Sequence, residues 1–375
     1  MTTIPASFKP GLEEVVAGYT AVCEVEQTGL SYRGYEISDL AAHATFDEVA
    51  HLLLHGELPN RAQLAAFRAR VQAAMALPPA VARVIGELPR DTVPMDVMRT
   101  VASLCGHFDP EAGDDSRAAN VRRAERLLGQ MGAGVAAWAR RMSNVPVVAI
   151  DPEATHGANL LGQILGCRPD ALAARVFDVT LTLYAEHEFN ASTFTARVIA
   201  STLADMYGAV TGAIAALKGP LHGGANEAAM HMFQEIGAVD NVEPWFRRAL
   251  AEKRKIMGFG HRVYKHGDHR AGILREHSIE LAKVTGQRHW VDISDKLAAL
   301  MLKEKKIHPN LDYPASQTYF QMGIPIPLYT PIFVASRVSG WCAHVIEQHD
   351  NNRIYRPRSG YTGPGRRTVV PIERR

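Results

Sequence analysis

Apolar residues recur along most of this chain at the three- and four-residue spacing that lines one face of a helix. Phe46, Val49, Leu52 and Leu53 form one such stripe over 46–54. Leu64, Phe67, Val71 and Met75 form the next over 61–76, before Pro78-Pro79 removes backbone donors that a helix needs. A longer stripe covers 120–142, where Gly129, Gly132 and Gly134 imply a break or close helix packing. The run from Pro169 to Tyr184 predicts an amphipathic helix with proline in its first turn. Segments 194–206, 208–217, 224–236, 243–256, 271–284, 293–305 and 330–347 carry the same period. Strand signals are rare: 145–150 predicts a strand, and 21–35 a short hairpin. No repeat of solenoid length and no low-complexity tract interrupts this order. The pattern predicts an all-α protein with many helices.

Composition narrows the function classes. A chain of 375 residues, 47% of them hydrophobic, can bury the core of two domains or one large one. With 41 basic against 39 acidic residues, no global field selects for nucleic acid or an anionic membrane. Small anions must then be held by individual arginines. Cys23, Cys105, Cys167 and Cys342 lie far apart without a Cys-x-x-Cys pair, so reduced thiols in a cytoplasmic protein are expected. Neither a secretory leader nor a membrane anchor is expected, because residues 1–10 lack an apolar segment and no apolar run reaches spanning length.

The candidate chemistry lies in four short segments. They are Ala-Glu-His-Glu-Phe-Asn-Ala-Ser-Thr (185–193), Lys-Gly-Pro-Leu-His-Gly-Gly-Ala-Asn (218–226), Gly-Phe-Gly-His-Arg-Val-Tyr-Lys (258–265) and Pro-Asn-Leu-Asp-Tyr-Pro (309–314). They hold His187, His222, His261 and Asp312, titratable groups of the kind that proton transfer near neutral pH uses. Glycine around His222 and His261 lets backbone approach a ligand closely. Each histidine alone is more often a structural hydrogen-bonding residue, and Asp312 before Tyr313-Pro314 more often a turn or cap residue. His43, His51, His55, His107, His156 and His231 have no such context and read as surface or packing residues. His266-Gly-Asp-His269 lacks the ligand set of a zinc centre, so no metal is expected. Neither a phosphate-binding Gly-x-x-x-x-Gly-Lys-Ser/Thr loop nor a dinucleotide fingerprint is present, which argues against ATP and NAD.

From roughly Gly29 to its end, the chain resembles the citrate synthases, the 2-methylcitrate branch above all. The resemblance implies a homodimer in which a small domain, here 223–317, is inserted into a large one formed by 1–222 and 318–375. It implies condensation of an acyl-coenzyme A with oxaloacetate, without a resident cofactor. Asp312 would take the α-proton, His222 would stabilise the enol oxygen, and His261 would support the ketone oxygen. His187, Arg270, Arg337 and Arg356 would bind the oxo acid, Arg356 from across the dimer interface. Coenzyme A would lie along Lys253, Arg254, Lys255, Ile256, Met257, Arg262 and Lys265; a charge run at a helix end is otherwise an ordinary solvated face. Segments 94–100, 185–193 and 205–208 resemble the 2-methylcitrate branch, so propionyl-CoA is the expected substrate in propionate catabolism. Arg262-Val-Tyr-Lys265 also occurs in short citrate synthases, and one methylene is worth only about 1–3 kcal/mol, so acetyl-CoA should be accepted too. Three alternatives remain: a citrate synthase of the tricarboxylic acid cycle, a lyase of the same fold, and an inactive coenzyme A-binding homodimer. The lyase is disfavoured because this chain carries no ATP-using ligase module.

Overall fold

The structure is a computed structural model that describes residues 9–13, 15–27, 29–261, 263–264 and 267–375. A small antiparallel sheet of β1 (Cys23–Val25), β2 (Leu30–Tyr32) and β3 (Tyr35–Glu36) comes first. Cys23 faces Tyr32 across β1–β2, and Tyr32 faces Tyr35 across β2–β3. Helices follow: α1 (Ile37–His43), α2 (Phe46–His55), α3 (Arg61–Ala74), α4 (Pro79–Glu87), α5 (Pro94–Gly106), α6 (Arg117–Ser143), α7 (His156–Leu165) and α8 (Ala171–Tyr184). The second half holds α9 (Ala191–Ala200), α10 (Met206–Lys218), α11 (Ala225–Ile236), α12 (Val242–Ala251), α13 (His269–Thr285), α14 (Arg288–Lys305), α15 (Asp312–Gln321) and α16 (Tyr329–Asp350). The expected all-α class is what the molecule has. No helix among the described residues is long and apolar enough to cross a membrane.

Local chemistry sets the helix ends. Thr45 with Glu48, and Asn60 with Gln63, form reciprocal capping boxes that satisfy the first free N–H groups of α2 and α3. Ser116, Thr155, Asp170, Asn190 and Asp205 each accept a backbone N–H at the start of a helix. Helix α16 is the hub. It packs against α2, α5, α6, α8, α9, α10 and α11, and almost every residue from Tyr329 to Ile346 is buried. Each fully buried Val or Ile on it contributes about 1.5–3 kcal/mol of apolar burial. Its neighbour α6 is one unbroken helix, which decides between the two readings of its glycines. A Cβ at Gly129 would stand 2.3 Å from the Val71 carbonyl oxygen, so glycine there lets α3 and α6 approach.

Several boundaries differ from the pattern. Pro169 lies just outside α8, because Asp170 takes the cap position. The segment read as one helix over 194–206 breaks at 201–205, where Leu203 adopts a φ of 62° and Asp205 caps α10. Residues 145–150 form no strand: Pro146 has no N–H to offer a ladder, and the segment has no partner strand among the described residues. Helix α12 stops at Ala251, short of the expected 256, so the basic run 253–255 sits on a turn.

Candidate active site

The C-terminal end of α8 is the anchor. The last carbonyls of a helix lack partners within it and carry its negative dipole end, so they suit cations. Here the Tyr184 carbonyl accepts Arg337 Nε at 2.6 Å, and the Leu183 carbonyl accepts Arg270 Nη1 at 3.4 Å. Both guanidiniums are buried, 2% and 5% exposed, which makes their charge balance decisive. Arg270 is held bidentately by Asp268 at 3.0 and 2.8 Å. Burial alone would lower its pKa, yet the Asp268 carboxylate keeps it above the ordinary range. Arg337 stacks over Phe333 at 4.6 Å and forms no salt bridge among the described residues. Burial pulls its pKa down, opposed first by Glu186 and then by Tyr32. A buried, unpaired guanidinium is a ready receptor for a ligand carboxylate.

Immediately after α8, His187 is buried with Nε2 3.0 Å from the Tyr264 hydroxyl, and its ring lies 5.0 Å from that of His261. Burial first, and then the charges of Arg270, His261 and Arg337, hold His187 well below its usual pKa, hence neutral. The preceding Glu186 is tied to His344 at 2.9 Å in the core.

His222 follows α10 in a turn closed by its own N–H on the Gly219 carbonyl. Its Nε2 lies 3.2 Å from the backbone N–H of Ser192 and 2.8 Å from the Ser192 hydroxyl. A backbone N–H only donates, so Nε2 holds the lone pair and neutral His222 carries its proton on Nδ1. Burial and the Arg337 charge lower His222 to about 4. His261 has the opposite tautomer: Nδ1 accepts the N–H groups of Val263 and Tyr264 at 3.1 and 3.2 Å, leaving the proton on Nε2. Each ring therefore presents one fixed donor.

His261 and Asp312 are carried by two short segments zipped together. Phe259 bridges Pro309, Gly260 donates to the His308 carbonyl, and Asn310 Nδ2 donates to the Gly260 carbonyl at 2.9 Å. Gly258 permits this: its φ is +81°, and a Cβ there would stand 2.8 Å from the Tyr313 ring. Asp312 is the first residue of α15, with its N–H on Asn310 Oδ1 and its Oδ1 accepting the Tyr184 hydroxyl at 2.7 Å. Burial raises its carboxyl above the usual range; the Tyr184 hydrogen bond and the Arg270 charge oppose that rise. Asp268 joins the two halves, because its Oδ2 also accepts the Leu311 N–H at 3.1 Å. A cavity of about 230 Å³ opens beside His261, lined also by Tyr264, Asp268, Lys306 and His308.

Thus His187, His222, His261, Asp312, Arg270 and Arg337 surround one region. Arg356 does not join them within the chain; it sits exposed on the segment after α16, bonded among the described residues to the Pro357 carbonyl. Lys253 and Lys255 are exposed on their turn, Ile256 is buried and Met257 is packed against the core. Arg254 is already engaged by Glu235 at 2.7 and 2.5 Å and lies over Trp245. Arg262 and Lys265 lie outside the described residues. Four members were not singled out from sequence: Tyr184, Ser192, Tyr264 and Asp268. Tyr264 and Ser192 stand inside quoted motifs, whereas Tyr184 and Asp268 carried no local signal of their role.

Comparison with known proteins defines the class. The family model described as "Citrate synthase, C-terminal domain" matches residues 11–358. The 2-methylcitrate synthase of Shewanella oneidensis is 46% identical over 370 residues, 97% of each chain. Citrate synthase 2 of Bacillus subtilis is 44% identical over 368 residues, 97% of this chain and 98% of that one. The fold superposes with a TM-score of 0.91 on a citrate synthase from Thermoplasma acidophilum, solved as a ternary complex with carboxymethyl coenzyme A and oxaloacetate. That chain is 34% identical, with 97% of this chain and 98% of that one covered. The chain belongs to the citrate synthase family of condensing transferases.

Proposed function

We propose that the protein condenses propionyl-CoA with oxaloacetate and water, releasing 2-methylcitrate and coenzyme A, with acetyl-CoA as a second substrate. The observation that carries this reading is the pairing of a half-buried carboxylate, Asp312, with two histidines whose donor nitrogens are fixed by backbone N–H groups. Asp312 takes the α-proton of the thioester. His222 Nδ1–H donates to the enol oxygen as it forms, in a dry site where such a bond is worth more than in water. The new carbon nucleophile attacks the oxaloacetate ketone, whose oxygen receives the proton of His261 Nε2. Water then cleaves the thioester. Arg337 and Arg270 hold the oxo acid's carboxylates beside His187, and Arg356 of a second subunit completes the clamp. An exposed apolar fringe supports the dimer: Tyr19, Leu203, Ile354 and Val369 are 58–91% exposed on the isolated chain.

Coenzyme A in this reading runs over the 253–257 turn toward Arg262 and Lys265, with Lys253 and Lys255 as its free cations. No resident cofactor takes part. The small domain of 223–317 carries α11–α14 and the start of α15, so a hinge there would sit next to Asp312. All four cysteines are free, in keeping with a cytoplasmic setting. The test is thiol release from purified protein given oxaloacetate and each thioester. Propionyl-CoA should be preferred in kcat/KM by no more than about 10–200-fold, since a pocket for the longer chain still admits the shorter. A tenfold or greater preference for acetyl-CoA would make it a citrate synthase. No release from either would leave the inactive homodimer.

A further inference from the structure

The Tyr184 hydroxyl meets Asp312 from a helix 128 residues away in sequence, and no part of the reaction above uses it. We propose that Tyr184 is a positioning residue that pins Asp312 by its Oδ1, leaving Oδ2 as the oxygen that takes the proton. The inference deepens the proposed function and rests on Asp312 being its base. A carboxylate that can rotate offers two equivalent oxygens and no fixed direction. A phenol on one of them removes that freedom.

The geometry forces the direction of this bond. Tyr184 is 2% exposed, and burial together with the Asp312 charge holds its phenol protonated, so its oxygen donates. The ring cannot swing away, because Phe333 packs edge-on against it at 4.5 Å. Asn226, buried on α11 four residues after His222, opposes the rise of the phenol's pKa without reversing it. The backbone of Tyr184 holds Arg337 through its carbonyl. One residue therefore sets the base with its side chain and the carboxylate receptor with its main chain. Phenylalanine at 184 would release the first and keep the second, which separates the two roles.

The hydrogen bond stabilises the ionised carboxylate, so its loss must raise the Asp312 pKa further. Tyr184→Phe should lower kcat by about 10–100-fold, with the KM for oxaloacetate within about threefold, because Arg337 keeps its anchor. The acid limb of the kcat profile should move to higher pH. In an Asp312→Asn background the same substitution should add less than about twofold, since a residue acting only through Asp312 has nothing left to act on. A titration by carbon-13 aspartate NMR, assigned with Asp312→Asn, reads the carboxyl itself whether or not the protein turns over. An Asp312 ionisation that rises in Tyr184→Phe supports the proposal, and one that stays put overturns it. Equal kcat losses in the wild-type and Asp312→Asn backgrounds also overturn it, as they would mean a general packing effect. Absence of thiol release from wild type would sink the proposed reaction, while the titration would still decide what Tyr184 does to Asp312.

Discussion

Each histidine assigned to catalysis has one ring nitrogen committed to backbone N–H groups: His222 through Nε2 to Ser192, His261 through Nδ1 to Val263 and Tyr264. The remaining protons, on Nδ1 and Nε2, are the two donors that the proposed condensation would use. Both rings must be neutral to use them this way, and burial beside Arg337 serves that end at His222, whose pKa falls to about 4. Asp312 shifts in the other direction, upward through burial. As pH falls, Asp312 therefore takes up its proton above the usual carboxylate pKa of about 4, and turnover should fade along that limb. A kcat profile still flat down to about that value would mean that Asp312 is not the base. Asp312→Asn should keep the fold and oxaloacetate binding while lowering kcat about 10²–10⁴-fold, because an amide cannot accept the proton. Turnover within about threefold of wild type, with unchanged circular dichroism, would remove Asp312 from the mechanism.

Among the helices, α2, α3, α11 and α14 were legible in the sequence because each keeps a regular apolar stripe. Helix α15 was not, because Tyr313 to Tyr319 are buried on every side and include Ser316, Gln317 and Thr318, which erases the stripe. The same difficulty hid α7, where His156 and Asn159 are buried beside the leucines. At the site, the motif residues were legible because they cluster locally, whereas the Tyr184–Asp312 and Asp268–Leu311 bonds join segments that no local window compares. Buried charge between helices was equally invisible. Asp178 of α8 lies against Asp47 of α2, accepts the Phe46 N–H on Oδ2, and has no hydrogen-bond partner on Oδ1 among the described residues. Burial first, and then the Asp47 charge, push its carboxyl up to about 7. A raised carboxyl favours the fold while protonated, and that stability is lost as pH rises through the folded pKa. Thermal midpoints of wild type should therefore fall relative to those of Asp178→Asn, which stays neutral throughout, between about pH 4 and pH 7. Parallel slopes for the two proteins would refute the assignment.

At the scale of the whole molecule, the third arginine of the proposed clamp stands outside the site of its own chain. Arg270 and Arg337 are buried at the α8 end, while Arg356 is exposed on the segment after α16. Apolar side chains on that segment and near the N-terminus, Ile354, Val369, Val16 and Tyr19 among them, stay exposed when the chain is considered alone. A second copy related by a two-fold axis would cover such a fringe and deliver Arg356 to the neighbouring site. The proposed exchange can be read from two crippled variants. His261→Ala removes a donor from its own site, and Arg356→Ala removes a clamp from the neighbour's. Each homodimer should be nearly inactive. Co-expressed, a mixed dimer regains one intact site, built from His261 of the Arg356→Ala chain and Arg356 of the other. Random pairing should return about a quarter of wild-type activity, half the dimers being mixed and half their sites intact. Recovery indistinguishable from the separate variants, in a preparation shown by tagged pull-down to contain mixed dimers, would confine the site to one chain. A monomer in sedimentation would exclude the exchange altogether.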